Sequence, residues 1–65
     1  MKIRYFEDTD TLYIELKPGV VSESRDLDEN TLVEVDDQGR MLAITIEHAQ
    51  VRAELSTFSY EQIAA

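Results

Sequence analysis

The chain has 65 residues, with six Lys and Arg against fourteen Asp and Glu, one His, no Cys and no Trp, for a net charge of -8. That length admits one small domain, which buries only ~60% of the surface its unfolded form exposes, so the core is thin. Zero cysteines exclude disulfides and thiolate metal sites, and the acidic balance argues against direct contact with nucleic acid or an anionic membrane surface.

The N-terminal residues Met1 to Tyr5 pass straight into alternating polar and apolar positions, without the apolar core of a secretory signal. No apolar run approaches the ~20 residues that span a bilayer. A cytoplasmic protein is therefore expected. Period-two alternation, the mark of half-buried strands, governs the first 47 residues. Ile3 and Tyr5 form one apolar set, and Leu12, Ile14 and Leu16 the next. A four-residue turn over Glu7 to Asp10 sets Ile3 opposite Ile14, Tyr5 opposite Leu12, and Lys2 opposite Glu15 on the other face.

Pro18-Gly19 ends the second strand with turn chemistry. The segment Val20 to Leu27 predicts an edge strand, regular or bulged; with Val21 and Leu27 facing the core, Glu23 and Arg25 share that face. Asp28-Glu29-Asn30 predicts a polar turn. Thr31, Val33 and Val35 then alternate with Leu32, Glu34 and Asp36. With a turn at Gln38-Gly39, Val35 falls opposite Leu42 and Val33 opposite Ile44. Gly39 suits the positive φ of a tight hairpin or a glycine bulge.

After Ile46 the period changes. Val51 and Leu55, four apart, fit a short helix within His48 to Leu55. Ser59-Tyr60-Glu61-Gln62 has capping-box spacing, so residues 56–65 are either a short helical turn or a frayed tail beyond a compact domain of residues 1–55. The predicted class is α+β, mostly β: an antiparallel meander of about five strands, built from two hairpins, with a short C-terminal helix. Its apolar face must be covered by a helix or by a copy of the same sheet.

Chemistry-bearing residues are few. His48 titrates in the range of a general base, yet no nucleophile can be placed beside it, and a polar residue at a strand-to-helix junction is the plainer reading. Asp8, Asp10, Asp36 and Asp37 are weak candidates for a divalent cation, since oxygen-rich turns hold such ions. None of the acidic turns has EF-hand spacing, and carboxylates in turns more often accept backbone N–H bonds. Tyr5, Phe6 and Tyr13 read as packing aromatics rather than a base-stacking platform, because only Lys2 and Arg4 lie near them as cations. No cofactor motif is present.

Tyr5-Phe6-Glu7-Asp8-Thr9-Asp10-Thr11-Leu12-Tyr13-Ile14 resembles the opening "Tyr-Asp-x-x-x-Asp-x-Leu-Tyr-Ile" of a small prokaryotic family. Val35-Asp36-Asp37-Gln38-Gly39-Arg40-Met41-Leu42-Ala43-Ile44-Thr45-Ile46-Glu47 resembles its "Asp-x-x-Gly-x-(aliphatic)-(small)-Ile-x-Ile" segment. The family is the domain of unknown function numbered twenty-two eighty-three, and the resemblance spans roughly residues 1 to 53. Phe6 stands where the family often has Asp, and Ala43 where it often has Gly, which predicts a negative φ at Ala43. The resemblance implies a compact β-rich domain from bacteria or archaea with no catalytic residues to carry over, and, because some members lie beside toxin-like proteins, an antitoxin-like role as one option.

The leading expectation is a non-enzymatic interaction module that self-associates or binds a basic protein. The alternative is cation or small-ligand binding through the acidic turns, and an enzyme using His48 ranks last. Alternation puts Glu15, Glu34 and Glu47 on the face away from Ile14, Val33 and Ile46, where they would meet a basic partner.

Overall fold

The computed structural model describes residues 1–64. Five antiparallel strands form one sheet: β1 (Lys2–Phe6), β2 (Thr11–Glu15), β3 (Glu23–Asp28), β4 (Thr31–Val35) and β5 (Met41–Glu47), followed by a single helical turn, α1 (Ala49–Arg52). The first hairpin has the expected register, with Lys2 opposite Glu15, Ile3 opposite Ile14 and Tyr5 opposite Leu12. The spatial order is β1-β2-β5-β4-β3, so the last strand is the central one. Its residues explain the placement. β5 carries Leu42, Ala43, Ile44 and Ile46, whereas β3 carries Glu23, Arg25, Asp26 and Asp28 and is confined to an edge.

One face, called here the apolar face, runs across the sheet through Ile3, Ile14, Ile44 and Val33 to Arg25. Leu12, Val33, Val35 and Leu42 on it are buried, while Ile14, Ile44 and Ile46 are only half-buried. The loop after β2 lies against this face. A Cβ on Gly19 would stand 2.8 Å from Leu42 Cδ2, so glycine lets the loop backbone sit directly on the core. The opposite face presents Lys2, Glu15, Ala43, Glu34 and Ser24 in one row, and Arg4, Tyr13, Thr45, Leu32 and Asp26 in the next.

Three local expectations need correction. Val35 pairs with Met41, not Leu42, because a register shift follows Glu34. The cause is the turn: Asp36 N–H bonds to Arg40 O and Gly39 N–H to Asp36 O, with Gly39 at φ 79°, which sets Asp36 opposite Arg40 and Val35 opposite Met41 and leaves Leu42 as the extra residue before Ala43 meets Glu34. Val33 still faces Ile44. Secondly, Val21 and Leu27 do not face the core. β3 is exposed throughout, and a bulge between Asp26 and Asp28 leaves Leu27 unpaired and 66% exposed. Thirdly, the helix is one turn, not the whole of His48 to Leu55. Ala53 is extended at φ -144°, which breaks the spacing that would align Val51 with Leu55. Residues 53–64 have no regular secondary structure, so of the two readings of residues 56–65 the helical turn from Ser59 does not form; residue 65 lies outside the described residues.

The molecule is a slab of 36 × 34 × 17 Å with a radius of gyration of 13.0 Å, against about 10.7 Å for a compact domain of this length. Among the described residues, no large side chain is fully buried.

Candidate functional site

The four carboxylates singled out from the sequence fall at opposite ends of the sheet. Asp8 and Asp10 lie in the β1–β2 turn; Asp36 and Asp37 lie in the β4–β5 turn, a strand length of about 20 Å away. Two of them already serve the backbone. Asp36 Oδ1 accepts the N–H groups of Gln38 and Arg40, both at 2.9 Å, and Oδ2 pairs with Arg40 Nε at 2.9 Å. The Arg40 N–H bond, with those of Gln38 and the guanidinium, holds this carboxyl below its ordinary value. Among the described residues, no three His, Cys, Asp or Glu side chains converge as a metal site.

Asp10 joins the first hairpin to α1. Its Oδ1 accepts Tyr5 Oη–H at 2.7 Å and Gln50 N–H at 3.1 Å, and its carbonyl accepts Ala49 N–H at 3.0 Å. The first two N–H groups of α1 are therefore satisfied by a residue some forty positions upstream, since His48 supplies no side-chain cap. The hydrogen bond to Asp10 raises the Tyr5 hydroxyl above its ordinary range, because the phenol must stay protonated to donate. On the other side Arg52 reaches the second hairpin. Its Nη1 donates to Asn30 O at 2.7 Å and Glu47 O at 3.0 Å, and its Nη2 bonds Thr31 Oγ1 and lies 3.6 Å from Asp28 Oδ2. Residues Ala49 to Arg52 thus act as a strap across one end of the sheet. His48 is exposed at the start of this strap with φ 54°, a conformational role rather than a position beside a nucleophile. Sequence reasoning missed Arg52 and the Tyr5–Asp10 link; the only trace of the latter was the shared spacing of Tyr5 and Asp10 in the first hairpin motif.

The aromatic trio of the first hairpin is divided. Tyr5 belongs to the apolar face, while Phe6 and Tyr13 belong to the other, with Phe6 46% exposed. Two surfaces remain as candidates for recognition. The first is acidic: the register puts Glu15 and Glu34 on either side of Ala43, and a small cleft beside them is lined by Asp26, Glu29, Thr45 and Glu47 among others. Lys2 and Arg4 are confined to the β1 edge of that face. The second is an apolar groove of about 710 Å³ at the β1 edge, lined by Met1, Ile3, Phe58 and Tyr60. The sequence hinted at it only in that two of five aromatics lie in the tail.

No helix among the described residues is long and apolar enough to cross a membrane. Comparison with the curated proteins and with the solved structures gives no match. A family model described as "Protein of unknown function (DUF2283)" matches residues 2–50, which hold all five strands and the start of α1. The chain belongs to the DUF2283 family.

Proposed function

We propose that the protein is a non-enzymatic interaction module whose acidic sheet face binds a basic protein partner. The observation that carries this reading is the grouping of Glu15, Glu34, Glu47 and Asp26 on one face of the sheet, in a chain of charge -8. Such a field raises the association rate of a basic partner and is screened by salt. Antitoxin-like masking of a small basic protein is one form this role takes. The second partner class open to the chain, a copy of itself, uses a different surface.

The test is affinity retrieval from the native cell extract at low and high salt, compared with a Glu15→Lys, Glu34→Lys variant. Recovery of a basic protein at low salt, lost at high salt and in the variant, supports the reading. Recovery of nothing basic at either salt sinks it.

A further inference from the structure

We infer that the apolar groove at the β1 edge is covered by a second copy of the chain. Its four lining side chains are uncharged, and they are far from sealed: Met1 is 78% exposed, Ile3 39%, Phe58 70% and Tyr60 73%. Ile3 belongs to the apolar face of the sheet, so the groove continues the partly open core outward through the β1 edge. Among the described residues, neither tail aromatic bonds to the sheet: Tyr60 Oη reaches only Gln62, two residues on.

Area and charge select the occupant. The chain exposes 5231 Å², about 1,000 Å² more than the ~4,250 Å² of a compact monomer of its mass. A standard interface removes about 800 Å² from each partner, so one isologous contact accounts for the excess. A basic partner would find no carboxylate in this groove to pair with. Two copies of charge -8 repel each other, and least where they meet through a surface free of carboxylates. The groove is that surface, and Glu15, Glu34 and Asp26 lie on the opposite side of the sheet from Ile3. In a two-fold pair, the Phe58 and Tyr60 rings of each chain cover Ile3 of the other. The arrangement is independent of the acidic-face reading and responds to salt in the opposite sense, because screening eases the repulsion of like chains.

Sedimentation equilibrium of the full chain, from about 1 to about 500 μM at several salt concentrations, tests it. The expected result is a reversible dimer of twice 7.5 kDa, held as well or better at high salt. The Phe58→Ser, Tyr60→Ser variant is expected to weaken it at least about tenfold, while Val51→Ser, exposed but outside the groove, leaves it unchanged. If the double variant loses its far-UV spectrum, Phe58→Lys gives the same discrimination. A wild-type monomer throughout, a dimer indifferent to these variants, or a mass that climbs past two copies overturns the proposal. A monomer that still retrieves a basic protein at low salt overturns it too, while leaving the acidic-face reading intact.

Discussion

Replacing Gly39 by Ala isolates a pure backbone effect. Gly39 sits at φ 79°, and a Cβ built there meets nothing within 4 Å. No clash or cavity contributes, so the penalty is that of holding an L residue in the left-handed region, roughly 1–2 kcal/mol. Against it stands the smaller freedom of Ala in the unfolded chain, about 0.4–1 kcal/mol in favour of the variant. The net loss is about 1 kcal/mol, or ~4–8 °C in Tm for a domain of this size. Urea titration followed by far-UV circular dichroism reads it, with an unchanged slope expected because the surface exposed on unfolding is the same. Gly39→Asn should recover about half or more of the loss, since Asn tolerates the left-handed region. Gly19→Ala provides the contrast: its cost arises from contact with buried Leu42, not from φ. A Gly39→Ala protein as stable as wild type, or a Gly39→Asn protein as damaged as the alanine variant, would refute the reasoning.

Stability should fall at both ends of the pH scale. The folded pKa values of Asp28, Asp36 and Glu54 are lowered, Asp28 chiefly by the Asn30 N–H and Glu54 by the Ser56 hydroxyl, so their contribution is complete above the ordinary values of 3.8 and 4.5 and is lost as pH drops through the lower folded values. Tyr5 is raised, so its contribution is complete below 10.0 and fades as pH climbs beyond it; Tyr5→Phe should flatten the alkaline limb of a stability–pH curve. His48→Gly removes an L residue from φ 54° and should stabilise the fold by up to about 1 kcal/mol in urea titration, whereas a loss would show that the imidazole makes an essential contact. Arg52→Gln cuts the strap from the second hairpin; a loss of about 1–2 kcal/mol is expected, with amide exchange quickening first at Asn30, Thr31 and Ala49.

Both hairpins could be read from the sequence because alternation and turn chemistry are local signals. Ile3 with Ile14 and Val33 with Ile44 follow from counting outward from a turn. The one-residue shift at Val35 escaped because whether Gly39 closes a tight turn or a bulge depends on bonds between Asp36 and Arg40. The central position of β5 was not local at all: it follows from the pairing of Ile14 with Ile44, thirty positions apart. The same distance hid the strap, since Asp10 and Gln50 meet only after the sheet has formed. Of the candidate site residues, the alternation correctly set Glu15 and Glu34 on one face, while Phe58 and Tyr60 lie in a segment with no periodicity to read.

The two borders of the sheet are unlike, and the difference bears on how large an assembly can grow. β3 is exposed along its whole length, interrupted at Leu27, and carries Glu23, Asp26 and Asp28. A neighbouring strand added there would meet a broken ladder and a line of carboxylates, the usual devices against edge-to-edge pairing. β1 is regular and flanked by the apolar groove. With one border blocked, head-to-tail stacking into an endless ribbon has no second contact to use. For the pairing proposed through the groove, that leaves a closed pair as the stoichiometry, limited by the sequence of the bulged strand.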